Sequence, residues 1–406
     1  MKILNIMPYS PFPLFYGGAL RNYYLLKNMV EKHQVTLVTF GGPSEDLVLV
    51  QNLGDHLDEI RVVPKGIIRR NHRLGQIYAL WTSHSHDYLE ANCDHMQRQL
   101  DKLLSREKYD IIQTEFSFMG NYDLPSDAPK ILDEHNVEYD IYHQMYQYNR
   151  SAVRRMYYHV EYSRMKKEEL EICRKHDVIL VTSNSDKNKL DHDLPEVPKY
   201  VLTNGVDTNY FHPLPTIPEP NSIVFTGMMG YEPNSDAMIF FIDDILPIIK
   251  KAIPDVKLFI VGKRPTMKLK TRASDHIFVT GLVDDVRPYI WRSDVYVVPL
   301  RIGGGTRLKV LEALAMKKPV VTTSIACDGL DVKDNDTVRI ADDPKEFAEL
   351  VIQILKNQNY SDQIINRGYE LVHEYYDWKV IGETLDQLYE TILKKHKNKL
   401  SDSIKA

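Results

Sequence analysis

Short apolar runs and amphipathic segments alternate along the whole chain, and this alternation limits the possible folds more than any other feature. Runs such as VTLVTF (35–40) and VYVVPL (295–300) are continuously apolar, as in parallel strands that are covered on both faces. The segments between them, for example Ala19–His33 and Arg307–Met316, carry apolar residues at helical spacing. Strands alternating with helices predict an α/β protein with doubly wound parallel sheets.

Length and proline content indicate two domains. The chain has 406 residues, about twice what one hydrophobic core usually serves. The segment 211–220, FHPLPTIPEP, holds four prolines, which helix and strand both tolerate poorly, and it separates two sets of predicted strands. We therefore predict an N-terminal domain at 1–205, a C-terminal domain at 206–377 and a last amphipathic helix at 378–406.

Composition excludes several classes of protein. A net charge of −5 argues against general nucleic-acid binding. Three cysteines far apart (Cys93, Cys173 and Cys327) form no disulfide framework, which is typical of a reducing compartment. No run approaches the roughly 18 apolar residues of a membrane span, and the N-terminus lacks the long apolar region of a signal peptide. We therefore expect a cytoplasmic protein.

The segment from Val295 to Ser324 is the most specific indication of a ligand site. A buried strand runs into the consecutive glycines 303–305, which open a helix. Glycines let backbone amides approach a ligand, and amides at a helix start attract phosphate. Arg307 and Lys309 place cations in the first turns, an unfavourable position unless an anion such as a diphosphate binds there. The alternative is an ordinary strand-to-helix turn with solvated side chains.

A second glycine pair, Gly17 and Gly18, follows the first strand and opens a helix with Arg21 in its first turn. The pair is not the GxGxxG fingerprint, which argues against an NAD enzyme. Glycine-rich turns at strand ends in both halves indicate a ligand site, because ligands of open α/β sheets bind at those ends.

His135 ends a predicted strand in ILDEHNVEY, next to Asn136 and Glu138. An imidazole at this edge of a sheet could contact a donor sugar or an acceptor hydroxyl. The alternative is a histidine that caps the next helix or is solvated. Asp133 and Glu134 could orient the ring or belong to the turn.

Two further segments offer weak metal-site patterns. Residues 191–193 (Asp-His-Asp) have D-x-D spacing but are predicted to lie in a proline-rich loop, DHDLPEVP. His84, His86 and Asp87 lack a further ligand group at a recognised spacing. We therefore predict no metal site.

Taken together, these motifs resemble the GT-B-fold glycosyltransferases of family 4, the retaining group 1 class. The resemblance covers nearly the whole chain and is most specific in YVLTNGVDTNYFHP (200–213) and in the GGGTRLKVLEALAMKKPVVTT block (303–323). FTGMMGYEPNSDAMIFF (225–241) and VTGLVDDVRPYI (279–290) support it. The subset resembled most is that of bacterial sugar transferases in surface-polysaccharide pathways.

This resemblance implies two Rossmann-like domains facing a central cleft. The N-terminal domain would bind the acceptor, a glycan, lipid-linked or small-molecule hydroxyl. The C-terminal domain would bind a nucleotide-diphosphate sugar as co-substrate, with no cofactor and no metal. The last helix would cross back to the N-terminal domain.

The resemblance also assigns site residues. His135 matches the family's cleft histidine and would be catalytic, and Glu312, the second glutamate of the family's pair, would hold the donor ribose. Arg307 and Lys309, which the residue pattern itself indicates, would also be catalytic. Residues assigned to the donor follow strands of the second domain: Gly227, Leu282, Val283, Gly303, Gly304, Gly305, Thr306 and Glu312. Residues expected near the donor phosphate or the acceptor follow the first strand: Gly17, Gly18 and Arg21.

Two departures from the family pattern leave other functions open. The first glutamate of the pair would fall at Gly304, and the usual Arg and Lys are missing near Met228, where Arg307 and Lys309 would supply the charge instead. A non-catalytic accessory subunit with a sugar-nucleotide fold is therefore the main alternative, and a nucleotide-sugar isomerase is a weaker one.

The helical pattern Arg150–Lys175 raises the question of membrane contact. Its aromatic and basic residues could touch the inner face of a membrane that carries a lipid-linked acceptor. Its acids favour a solvated, salt-bridged helix instead. These acids are Glu161, Glu168, Glu169 and Glu171.

Overall fold

The computed structural model describes most of the chain. The described residues are 1–12, 14, 17–42, 48–49, 51–64, 79, 81–148, 151–215, 219–302, 306–357 and 362–405. They divide into two compact units. The first unit comprises Met1–Thr203 and Ile381–Ala406, and the second comprises Asn204–Val380.

The first unit is built on a parallel sheet that has seven strands in the described part of the chain, in the order β3-β2-β1-β4-β5-β6-β7. The strands are β1 (Lys2–Met7), β2 (Gln34–Gly41), β3 (Glu59–Pro64), β4 (Ile111–Glu115), β5 (Lys130–Glu134), β6 (Val178–Val181) and β7 (Lys199–Val201). Nearly every residue of the central strands is buried, because helices cover both faces.

The helices of the first unit lie in the connections between these strands, through which the chain returns to the start of the next parallel strand. They are α1 (Gly17–Lys32), α2 (His86–Ala91), α3 (Asp94–Arg106), α4 (Glu138–Tyr148), α5 (Ala152–Cys173) and α6 (Asn184–Asp193). Apolar residues at helical spacing face the sheet, as in α3, where Met96, Leu100 and Leu103 are buried.

The acids of α5 are not solvated, so that expectation was wrong for three of the four. Glu161, Glu168 and Glu169 are buried. Glu161 accepts the His86 N–H, and Glu168 accepts that of Ser85, both at the start of α2. Glu169 accepts the first two backbone N–H groups of α4. The carboxylates therefore cap helix starts, whose N–H groups otherwise lack partners.

The second unit has a parallel sheet with six strands among the described residues, in the order β10-β9-β8-β11-β12-β13. The strands are β8 (Ser222–Thr226), β9 (Lys257–Val261), β10 (Ile277–Gly281), β11 (Val295–Val298), β12 (Val320–Thr322) and β13 (Arg339–Ile340). Successive side chains pack into opposite cores: Val295 and Val297 on one face, Tyr296 and Val298 on the other. This explains the continuously apolar runs.

The helices of the second unit cover both faces of its sheet. They are α7 (Glu232–Phe240), α8 (Leu246–Ala252), α9 (Met267–Lys270), α10 (Arg287–Arg292), α11 (Leu308–Ala315), α12 (Ser324–Cys327), α13 (Pro344–Lys356) and α14 (Asp362–Leu371). A π-helical turn, Phe241–Ile245, joins α7 to α8. Another, Val372–Tyr376, follows α14 and precedes the last helix, α15 (Trp378–Lys405).

Helix α15 begins in the second unit and belongs to the first from Ile381 onward. Its side chains Ile381, Leu385, Tyr389 and Ile392 are buried at helical spacing. The predicted amphipathic stripe is therefore a packing surface in the first unit.

The predicted α/β class with two Rossmann-like sheets is confirmed. In each unit the strand order reverses beside the first strand, between β1 and β4 in one sheet and between β8 and β11 in the other. Open α/β sheets bind ligands at the carboxyl ends of the strands flanking such a reversal. No helix in the described part of the chain is long and apolar enough to cross a bilayer.

Candidate functional site

The carboxyl end of β8 is shaped by closely packed glycines. Gly227 follows β8 with φ +153°, and Gly262 follows β9 with φ +144°. A Cβ on Gly262 would lie 1.8 Å from the Gly227 carbonyl oxygen, so only glycine fits there. A Cβ on Gly227 would lie 2.9 Å from both Lys309 Nζ and Asn234 Nδ2. The missing side chain at Gly227 thus makes room for two polar groups.

Lys309 extends from α11 to this position. Its Nζ donates a hydrogen bond to Asn234 Oδ1 at 2.8 Å and lies 4.0 Å from the ring centroid of Phe225. Asn234 in turn donates from Nδ2 to the Met228 carbonyl oxygen at 3.1 Å. The ammonium therefore lies beside the end of β8, one of the two strands that flank the reversal in strand order.

Glu312 lies one turn further along α11 and is coupled to Lys309 through charge. Burial lowers the pKa of Lys309 to about 7, against the influence of Glu312. Burial raises the pKa of Glu312 to about 7, against the influence of Lys309. Burial and the Glu312 charge raise the pKa of Tyr296, whose hydroxyl bonds Thr226 Oγ1 at 2.5 Å. Both side chains on α11 can change charge near neutral pH.

The residues before α11 complete this cationic edge. Arg307 is half-buried, and burial lowers its pKa while Tyr231 and Asp328 oppose that effect. Thr306 Oγ1 is buried without a hydrogen-bond partner in the described part of the chain. The predicted phosphate-binding glycines 303–305 lie outside the described residues.

Leu282 and Val283 follow β10 at the same edge of the sheet. Leu282 is 77% exposed, and Val283 is half-buried.

In the first unit, His135 is held by a buried hydrogen-bond chain. Its Nε2 lies 3.1 Å from Glu115 Oε2. Glu115 Oε1 accepts from Gln113 Nε2 and from Asn5 Nδ2, each at 2.8 Å. Gln113 Oε1 accepts from the Tyr389 hydroxyl on α15. These hydrogen bonds thus connect the last helix, through side chains of β4, to the histidine.

The other ring nitrogen of His135 faces the glycine turn after β1. Its Nδ1 is buried without a hydrogen-bond partner among the described residues. A Cβ on Gly18 would lie 3.5 Å from this nitrogen and 2.6 Å from the Tyr9 hydroxyl. Burial lowers the pKa of His135 to about 3, against the charge of Asp133. A neutral ring that donates from Nε2 to Glu115 leaves Nδ1 as an acceptor.

Phe116 covers the histidine from a strained backbone. Its φ is +68° and ψ is +139°, a region that residues with a side chain rarely adopt. This conformation places its ring 3.9 Å from that of His135, centroid to centroid. Such strain commonly occurs at functional sites.

Arg21 is engaged inside the first unit. It is 1% exposed and forms a two-point ion pair with Asp133, at 2.9 and 2.7 Å. Its Nη1 also donates to the Thr203 carbonyl oxygen at 3.1 Å. A ligand contact at Arg21 would have to break this buried pair. Gly17 is exposed at the start of α1, and Gly18 is half-buried beside it.

Glu115, Asp133 and His135 form the only group in the described part of the chain with metal-ligand geometry, their ligand atoms lying within 4.8 Å of one another. Asp133 is already paired with Arg21, and Glu115 accepts two side-chain amides. A dication would therefore compete with a guanidinium. The donor set fits a hydrogen-bonded cluster better than a metal site.

The D-x-D segment does not lie in a loop, contrary to the prediction. Asp191, His192 and Asp193 end helix α6. Asp191 pairs with Lys187 at 2.5 Å, and Asp193 pairs with Lys166 at 2.8 Å. Both carboxylates are therefore engaged in ion pairs at the protein surface.

Sequence reasoning missed several residues of both clusters: Asn5, Gln113, Glu115, Tyr389, Asn234 and Tyr296. Glu115 could have been found, because it ends an apolar strand as His135 does. The others needed partners distant in sequence.

Two family models match the chain. "Glycosyltransferase Family 4" covers residues 16–210, and "Glycosyl transferases group 1" covers 220–357. A protein of the cps region of Klebsiella pneumoniae, described as uncharacterized, is 24% identical over 95% of this chain and 98% of its own length. A phosphatidyl-myo-inositol mannosyltransferase of Mycobacterium leprae is 27% identical over 50% of this chain and 55% of its own.

Solved structures share the fold at low identity. Sucrose-phosphate synthase from Thermosynechococcus elongatus has a TM-score of 0.67 at 15% identity, covering 97% of this chain and 100% of its own. Anabaena HepE in complex with UDP has a TM-score of 0.68 at 12% identity, covering 96% and 100%. These similarities establish the architecture alone.

Proposed function

The chain belongs to the group 1 glycosyltransferases of family 4, and we propose that it transfers a sugar from a nucleotide-diphosphate sugar to a hydroxyl acceptor with retention at the anomeric carbon. The observation that carries this proposal is the pair of half-buried cations, Arg307 and Lys309, at the strand-order reversal of the second sheet. Burying cations is costly, and a bound diphosphate would reduce that cost.

The donor is proposed to bind along the carboxyl edge of the second sheet. Arg307 and Lys309 would contact the diphosphate, with Thr306 and glycines 303–305 supplying further donors. Glu312 would accept hydrogen bonds from the ribose. Relatives support a nucleotide donor: HepE structures contain UDP and UDP-glucose. Gly227, Leu282 and Val283 would border the sugar and the base.

The proposed chemistry needs stabilisation of the leaving group. The bond between the anomeric carbon and the phosphate oxygen breaks while the acceptor oxygen bonds the same face of that carbon. The acceptor proton passes to the leaving phosphate oxygen, so no residue has to form a covalent adduct. Charge that develops on the diphosphate is met by prepositioned cations, and such groups contribute on the order of a hundredfold in rate each. A glycosyl adduct on the protein detected by mass spectrometry would contradict this route.

His135 is proposed to orient a substrate hydroxyl in the first unit. Its Nδ1 is an unprotonated acceptor beside Gly18, and Glu115 fixes the ring through Nε2. Gly17 and Gly18 would leave space for that substrate. Arg21 would act through Asp133, which lies 3.7 Å from the same Nε2.

We also propose that the acceptor is a glycan or lipid-linked hydroxyl. The mannosyltransferase relative is named for a lipid, phosphatidyl-myo-inositol, and a Staphylococcus aureus relative is named for capsular polysaccharide biosynthesis. At the start of α5, Val153 and Met156 are 82% and 73% exposed beside the exposed Arg154 and Arg155. An apolar and basic helix end suits an anionic lipid surface. Equal co-sedimentation of wild type and V153D/M156D with anionic vesicles would contradict membrane contact.

The deciding experiment compares two lysines of the second unit. Lys309→Ala should abolish the release of nucleoside diphosphate from a panel of nucleotide sugars supplied with acceptors. Lys318→Ala is the matched control, since Lys318 is also half-buried, bonds the Ser293 carbonyl oxygen at 2.8 Å and lies over Trp291. Normal release by Lys309→Ala would refute the assignment. Absence of release by the wild type with every donor, despite nucleotide binding, would favour an accessory subunit.

A further inference from the structure

Asn234 belongs to the PNSDA segment, and its side chain forms two hydrogen bonds with residues outside its own helix. It is the third residue of α7. It is 8% exposed, donates from Nδ2 to the Met228 carbonyl oxygen and accepts at Oδ1 from Lys309 Nζ.

These contacts determine both the orientation of the amide and the place of the ammonium. Nδ2 must face the Met228 carbonyl oxygen, so Oδ1 must face Lys309. The ring of Phe225 lies against the ammonium, and Gly227 leaves open the space beside it. The hydrogen bond to Oδ1 is the one that Lys309 Nζ donates among the described residues, and an ammonium has three N–H donors.

We propose that Asn234 is a positioning residue that holds the Lys309 ammonium at the end of β8 and aims its remaining N–H donors at a diphosphate. The identity of the ligand, a diphosphate, rests on the proposed function. The Asn234–Lys309 contact does not, because the structure shows it directly. An amide suits the task because it is a neutral acceptor. A carboxylate in its place would neutralise the cation, and an apolar side chain would leave the cation without an acceptor.

The charged groups around Lys309 determine how each substitution of Asn234 should change the pKa of Lys309. Glu312 stabilises the ammonium and Arg307 destabilises it. Removing the Asn234 acceptor should lower the pKa of Lys309 further, and a carboxylate at 234 should raise it. Hydrogen bonds to charged groups are strong enough for shifts of about one pKa unit or more in each direction.

The first measurement needs no ligand. Acylation of Lys309 by acetic anhydride is followed by mass spectrometry across pH in the wild type, Asn234→Ala and Asn234→Asp. The pKa of Lys309 should be highest in Asn234→Asp, intermediate in the wild type and lowest in Asn234→Ala. Ser235→Ala is the control, because Ser235 bonds Thr266 Oγ1 at 3.0 Å and should leave Lys309 unchanged. Identical Lys309 pKa values in all variants would overturn the proposal.

The second measurement uses inorganic pyrophosphate, whose binding is followed by calorimetry. Asn234→Ala and Asn234→Asp should each weaken binding at least tenfold, with melting temperatures within a few degrees of that of Ser235→Ala. If the wild type binds pyrophosphate and both Asn234 variants bind it equally well, the positioning role is wrong while the proposed function stands. If the wild type binds no pyrophosphate but the pKa order holds, the contact is right and the diphosphate role is wrong.

Discussion

Replacing Tyr389 by phenylalanine removes one oxygen at the far end of the hydrogen-bond chain that leads to His135. The Tyr389 hydroxyl donates to Gln113 Oε1, and both side chains are fully buried. Burial and the nearby charge of Glu115 raise the pKa of this phenol, so it remains a donor at all physiological pH values. In the variant the buried amide oxygen loses that donor, which costs about 1–3 kcal/mol.

Hydrogen exchange of peptides that contain β4 measures this loss in the first unit alone, which matters because two units need not unfold together. A loss of 1–3 kcal/mol corresponds to about 5–150-fold faster exchange in those peptides. Tyr109→Phe is the matched control, since Tyr109 is also buried but its hydroxyl makes only a 3.4 Å contact with Thr36 Oγ1. Equal exchange rates in the two variants would refute the hydrogen-bond chain as a stabilising element.

Three further predictions concern single groups. Gly227→Ala should weaken nucleoside diphosphate binding at least tenfold by calorimetry, whereas Gly281→Ala, with φ +73° and nothing within 4 Å of the added Cβ, should cost about 1–3 kcal/mol of stability and little affinity. Affinity should fall as pH rises above about 7, because Lys309 then loses its proton, and Lys309→Arg should reduce this dependence to the part that comes from Glu312; a constant dissociation constant from pH 6 to 9 would contradict it. Glu169→Ala should destabilise the protein by about 1–3 kcal/mol in urea, since it leaves two N–H groups of α4 without their acceptor, while the exposed Glu171→Ala should not.

The strands could be predicted from sequence because burial on both faces leaves a local trace. VYVVPL is continuously apolar for the reason that Tyr296 and Val297 enter different cores. The cationic edge was also predictable, since Lys309 near a helix start is unfavourable without an anion. Both signals lie within a few residues of the feature they report.

The rest depended on partners far apart in the chain. Lys309 and Asn234 are separated by 75 residues, and Tyr389 and Gln113 by 276. A glutamate in a helical pattern predicts a solvent-exposed side chain unless a buried partner is known. Glu169 was therefore expected on the surface. Its partners are backbone N–H groups at the start of another helix, and backbone groups leave no sequence signal.

The first unit is interrupted in sequence by the second, because Met1–Thr203 and Ile381–Ala406 belong together. During synthesis, the inserted unit leaves the ribosome before the segment that carries Tyr389, so it can fold while the earlier unit still lacks its last helix. Until that helix is synthesised, Gln113 Oε1 lacks the hydrogen bond from the Tyr389 hydroxyl. The apolar surface on which Ile392 packs also stays exposed. A fragment ending near residue 205 should therefore aggregate, whereas the inserted segment is the part of the chain suited to separate expression.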